Sequence, residues 1–89
     1  MTETLDTQRR KLAWRASRRG IKEMDLLVGG FAASELPRMN AAELAAFAIL
    51  LDIPDQQLLA WATEQEPVPP EQDSPMLRAL LAFRPQVKA

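Results

Sequence analysis

Between Ser17 and Leu27 the chain reads SRRGIKEMDLL, crowding the cations of Arg18, Arg19 and Lys22, a glycine at Gly20 and the carboxylates of Glu23 and Asp25 into one short stretch. Groups of this kind make ion-paired, charge-assisted contacts, either inside the chain or with a partner. Their spacing is not that of a catalytic constellation. The 89 residues include no histidine, cysteine or tyrosine, so the usual general base near neutral pH, the thiolate nucleophile and the commonest metal ligands are missing. The remaining carboxylates, lysines and hydroxyls fall in no catalytic spacing, and the chain has no Gly-rich phosphate loop, zinc spacing or calcium loop. The expectation is a protein that is not an enzyme, holds no metal and no stable cofactor of its own, and works by binding.

The charges are unevenly distributed. Of 11 basic residues, seven (Arg9, Arg10, Lys11, Arg15, Arg18, Arg19 and Lys22) lie in a stretch of 14 residues without an acid, although the net charge is only -1. From Glu35 to Asp73 the balance reverses, with eight acids against Arg38. Such a split suits a nucleic-acid surface, a protein partner with an acidic patch, or a solvated basic helix face. The acidic second half would repel a phosphate backbone, and neither a helix-turn-helix nor an aromatic platform for single strands is visible. A nucleic-acid-binding or regulatory module is therefore kept as the alternative reading, and charge alone leaves a protein partner and a solvated face both open.

These groups must be positioned by helices, because apolar residues recur at helical spacing and no segment alternates as a strand does. A first helix opens at Asp6 or Thr7 and runs through Leu12, Ala13 and Ala16 to Gly20. A second carries Ile21, Met24, Leu27, Val28 and Phe31 on one face, with Gly29 and Gly30 expected to fray its last turn or to bring it close to a neighbour, and ends before Pro37. Asn40 and Glu43 form a capping box ahead of Leu44, Phe47, Ala48 and Leu51. Asp52, Pro54 and Asp55 close that helix and start a fourth, whose buried face holds Leu58, Trp61 and Ala62. The segment EQEPVPPEQDSP reads as an ordered or semi-extended loop, and Ser74 with Pro75 starts a last helix through Met76, Leu77, Leu80 and Leu81. The fold class is all-α, a small compact bundle of about five helices in a single domain over 1–89, with a folded core at 6–85. No apolar stretch approaches the roughly 20 residues that span a bilayer, so no membrane insertion is expected. The opening MTETLDTQ has two acids and no base, unlike a signal or transit peptide. The chain is expected to stay in the cytoplasm, as a monomer when free.

Two readings of the opening stretch share one geometry. In the structural reading, Gly20 adopts positive φ to cap the first helix, and Glu23 offsets the dipole of the second. In the functional reading, the same tight corner presents Arg18, Arg19 and Glu23 to another protein. Trp61 belongs to the packing, whereas Trp14 lies off the Leu12 and Ala16 face and is a candidate exposed anchor.

The stretch RRGIKEMD, Arg18 to Asp25, resembles the Arg-Gly-x-x-Glu signature of the SdhE family, assembly factors for covalent flavin attachment to succinate dehydrogenase. LLVGGFA, FAILLDIPDQQLLAW and the following PVPP are similar to that family in order and spacing, so the resemblance covers nearly the whole chain. Departures fall at Gly30, Ala48 and Gln57 and after Trp61, where the family's usual glycine is missing. The resemblance implies a five-helix bundle that is bacterial and cytoplasmic. It would dock on the flavoprotein subunit of succinate dehydrogenase, with the fumarate reductase flavoprotein as a second candidate, and promote the bond between a histidine of that subunit and its FAD. It assigns partner binding to Arg18, Arg19, Gly20, Lys22, Glu23 and Asp25. In that assignment Gly20 permits close backbone approach, Arg19 reaches a carboxylate or carbonyls of the partner, and Glu23 pairs with a cation near the flavin. Arg18 and Lys22 steer encounter, and Asp25 braces the corner from behind.

Overall fold

The computed structural model describes residues 4–84, which form five helices, α1 (Leu5–Ala16), α2 (Lys22–Glu35), α3 (Ala41–Leu51), α4 (Asp55–Ala62) and α5 (Pro75–Ala82). Short 3-10 turns at Leu36–Arg38 and Pro70–Gln72 complete the elements, and no strand occurs among the described residues. The all-α bundle read from the periodicities is the observed fold. Pro85, the last residue of the expected folded core, lies outside the described residues.

Local chemistry explains most helix ends. Asn40 accepts from the Glu43 N–H while the Glu43 carboxylate accepts from the Asn40 N–H, both at 2.9 Å, completing the capping box. The Ser74 hydroxyl accepts from the Leu77 N–H at 3.1 Å, with Pro75 at the first helical position. Two starts and stops differ from expectation. α1 is capped by Thr4, whose hydroxyl accepts from the Thr7 N–H, so it begins before Asp6; it ends at Ala16, four residues short of Gly20. Of the fraying or close approach to a neighbour expected at the glycines of α2, close approach is what occurs. The helix runs to Glu35, and Gly29 sits against the Ala16 carbonyl and Ser17, where a Cβ would lie 3.6 Å away. α4 closes with Glu64 at φ 60°, so that the Gln65 N–H reaches back to the Ala60 carbonyl. A left-handed residue of this kind satisfies the last carbonyls of a helix, and glycine adopts it with least strain.

The apolar faces meet in one core. Met24, Val28, Leu44, Phe47, Leu58, Leu77 and Leu80 are its largest fully buried side chains, each stabilising the fold by about 1.5–3 kcal/mol relative to exposure. Phe31 lies with its ring centre 5.8 Å from Phe47 and, edge-on, 5.8 Å from Phe83, which ties α2 to α3 and to the end of α5. Trp61 is buried in the same cluster, as its spacing predicted. The core thereby fixes α1, α2 and α4 around a single corner.

Candidate functional site: the Arg19–Gly20 corner

Between α1 and α2 the N–H groups of Arg19 and Gly20 fall outside both helical ladders, and two carboxylates take them up. The Arg19 N–H donates to Asp25 Oδ1 at 2.6 Å, and the Gly20 N–H donates to Asp55 Oδ2 at 2.7 Å. These acceptors come from the first turns of α2 and α4. The N-caps of these helices, Ile21 and Pro54, make no side-chain cap bond, and the carboxylates of Asp25 and Asp55 accept from the corner. Asp25 thus braces the corner from behind.

Arg19 turns inward. Its Nε donates to Asp55 Oδ1 at 2.5 Å, and its two terminal nitrogens donate to the carbonyls of Leu51 at 2.7 Å and Ile53 at 2.6 Å. The side chains of Arg19 and Asp55 are only 9% and 17% exposed. A guanidinium is suited to this task because its planar fork serves several acceptors at once. It also places a cation at the C-terminal end of α3, beside a carboxylate at the N-terminal end of α4, favourable for both helix dipoles. The carboxylate and carbonyls within reach of Arg19 are therefore those of its own chain. Arg15 pairs with Asp52 at 2.9 Å next to this clamp, on the surface.

The remaining groups face outward. Gly20, Lys22 and Glu23 are exposed. No ion pair or side-chain hydrogen bond engages Lys22 or Glu23 among the described residues. Arg18 lies over the ring of Trp14, 4.5 Å from its centre, and Trp14 itself is 59% exposed. A cation stacked on an indole gives an amphipathic edge of the type found in protein contact sites. Gly20 corrects one expectation: no glycine among the described residues has positive φ. A Cβ at Gly20 would meet only Asp55 Oδ2, at an ordinary 3.7 Å. Neither backbone strain nor internal crowding demands a glycine here.

Sequence reasoning placed Arg18, Arg19, Gly20, Lys22, Glu23 and Asp25 at one corner, and the structure brings them together there, with Arg19 turned inward rather than toward a partner. It missed the part of Asp55, read only as a first-turn carboxylate of α4. The only local signal was an acid following a proline, and nothing in it points to a partner 35 and 36 residues away. The basic stretch is also less available than its composition suggested. Arg9 donates to the carbonyls of Leu36 and Met39 at 3.0 and 2.8 Å, as well as to Asp6. Arg9, Arg15 and Arg19 are all engaged internally.

The fold and site define an all-helical protein with a braced, charged corner and no catalytic constellation among the described residues. Residues 10–84 match the family model described as flavinator of succinate dehydrogenase, and the chain belongs to that family. It is 38% identical over 79 residues to the FAD assembly factor SdhE of Acetobacter pasteurianus, an alignment covering 89% of this chain and 72% of that protein. It is 39% identical over 85 residues to the mitochondrial succinate dehydrogenase assembly factor 2 of Saccharomyces cerevisiae, covering 91% of this chain and 52% of the relative. With assembly factor 2-B of Drosophila persimilis the identity is 35% over 80 residues, covering 88% of this chain and 51% of the relative. The chain thus spans about half the length of these mitochondrial relatives.

Proposed function

We propose that this protein is an assembly factor that docks on the flavoprotein subunit of succinate dehydrogenase in the bacterial cytoplasm and promotes covalent attachment of FAD to a histidine of that subunit. The fumarate reductase flavoprotein is a second client. The observation that carries the reading is the family match over residues 10–84, which includes the whole corner. Its outward groups support the assignment. Glu23 offers an unpaired carboxylate to a cation of the client, Gly20 allows a backbone to approach without a side chain in the way, and Arg18 with Lys22 steers encounter. Trp14, under Arg18, serves as an apolar anchor beside them. Arg19 contributes by holding the corner in shape.

The chain has no histidine, so the residue that bonds to the flavin belongs to the client. FAD supplies the electrophilic carbon. What a small helical helper adds is orientation: holding the client's segments so that its histidine, its polar groups and the flavin stay aligned, the kind of contribution that removes entropy from a barrier. The protein turns over no substrate itself and holds FAD only through its client. A nucleic-acid role fits less well, because at least four of the seven clustered cations donate to the chain's own oxygens.

Cells lacking this protein are expected to accumulate flavoprotein with little covalent flavin, seen as lost flavin fluorescence in denaturing gels. Undiminished fluorescence in the deletion strain contradicts the proposal.

A further inference from the structure

The Asp55 carboxylate divides its two oxygens between a side chain and the backbone of consecutive residues: Oδ1 accepts from Arg19 Nε and Oδ2 from the Gly20 N–H. We propose that Asp55 is the positioning residue of the binding edge, fixing the Gly20 peptide in the orientation the flavoprotein meets while itself staying out of contact. The inference rests on the proposed docking function and adds a residue to its site.

The geometry distinguishes this role from a general contribution to folding. Arg19 keeps two further bonds, to Leu51 and Ile53, that do not involve Asp55. The Arg19 N–H is held by Asp25. The Gly20 N–H has Asp55 as its acceptor, and glycine carries no side chain whose packing would substitute for that bond. Loss of the Asp55 carboxylate therefore releases one peptide in particular, at the centre of the exposed edge between Arg18 and Glu23. Binding constellations depend on such supporting contacts, because displacement by about 1 Å is enough to cost on the order of a hundredfold. Each oxygen already accepts one bond and the side chain is mostly covered, so little of Asp55 is left to meet a partner.

The test is Asp55→Asn in the full chain, since an amide keeps the size but presents one acceptor where two donors converge. Asp55→Glu accompanies it as the charge-retaining variant. Four quantities are read well below the melting point: exchange of the Gly20 amide, exchange of core amides in α2 and α3, affinity for the purified flavoprotein subunit, and covalent flavin yield at limiting assembly factor. The expected result for Asp55→Asn is Gly20 exchange faster by about tenfold or more beyond whatever common rise the core amides show, with affinity and yield of the folded protein lower by about 10- to 100-fold. Asp55→Glu recovers part of each. Wild-type affinity despite a released Gly20 amide overturns the proposal, and so does a loss of binding that tracks core exchange. If Asp55→Asn does not fold, Asp55→Glu decides by the same readings, and unfolding of both shows a folding residue and overturns the positioning role. A wild-type chain that neither binds the flavoprotein nor raises its covalent flavin refutes the docking function itself. Wild-type activity alongside an indifferent Asp55→Asn refutes only the part assigned to Asp55.

Discussion

Two arginine–aspartate pairs occupy opposite kinds of ground in this molecule. At the corner, Arg19 and Asp55 join α1's exit to the α3–α4 junction, 9% and 17% exposed. At the start of α5, Arg78 of the helix and Asp73 just before it pair twice, at 2.6 and 2.8 Å, yet Arg78 is 71% exposed. Contact distance barely separates them. Burial and connectivity do, because the corner pair also carries the Gly20 N–H and two main-chain carbonyls, whereas the α5 pair links neighbours in sequence and competes with water. An ion pair matters here for what it holds in place.

Replacing Arg19 by alanine is the harshest break of that contrast. It leaves the Asp55 carboxylate and two carbonyls short of donors in a mostly covered site, and a loss of about 3–5 kcal/mol is expected. That is a large share of the roughly 5–15 kcal/mol that keeps a domain folded. Urea denaturation measures it, and a loss below about 1 kcal/mol would place the corner with surface pairs. Arg9 provides the intermediate case. With its side chain 25% exposed and two carbonyls held at the Leu36–Arg38 turn, Arg9→Ala is expected to cost about 1–3 kcal/mol. A ranking in the same urea series other than Arg19 above Arg9 above Arg78 breaks the burial argument.

Gly20→Ala sharpens the comparison from the other side. Without positive φ or internal crowding, alanine is expected to leave melting unchanged or raise stability by about 0.4–1 kcal/mol. Covalent flavin yield should nonetheless fall, because the methyl group projects from the exposed edge. A drop in melting temperature would instead return the glycine to a folding role. Asp73→Asn is the smallest break, with no resolvable change expected at neutral pH. The hydrogen bond from Arg78 holds the Asp73 carboxyl below the usual carboxylate range. Any contribution of the pair is therefore present above that range and lost as acid protonates Asp73. A thermal melt series from pH 6 to pH 2 (about the acid end of carboxylate titration) should therefore show wild type and variant melting together throughout, whereas a wild-type advantage at pH 6 that vanishes at the acid end would give this exposed pair real weight.

Legibility in the sequence followed the range of the interaction. The capping box at Asn40 and Glu43 and the Ser74–Pro75 start were readable because both partners lie within one turn. Trp61 was assignable to the core because periodicity alone orients it. The end of α1 was misread because a glycine after two arginines is a sound local stop signal. The real competitors for that backbone are Asp25 and Asp55, the latter brought in by packing of α4. The same long-range pairing turned Arg19 inward and relieved Gly20 of the positive φ a helix cap would have asked of it. Outward residues were legible as a group, since Glu23 and Lys22 follow the corner at whatever angle it turns.

Glu23→Ala bears most directly on the central claim that this corner is a docking site. As a first-turn carboxylate alone, Glu23 contributes about 0.3–1 kcal/mol to stability. As a charged contact in a desolvated interface, its loss costs about 2–5 kcal/mol of binding, roughly thirtyfold to several-thousandfold. Melting temperature and covalent flavin yield are to be measured on one preparation, at limiting assembly factor. Near-normal melting with sharply reduced yield is the expected result; normal yield, or a loss accounted for wholly by unfolding, would contradict it.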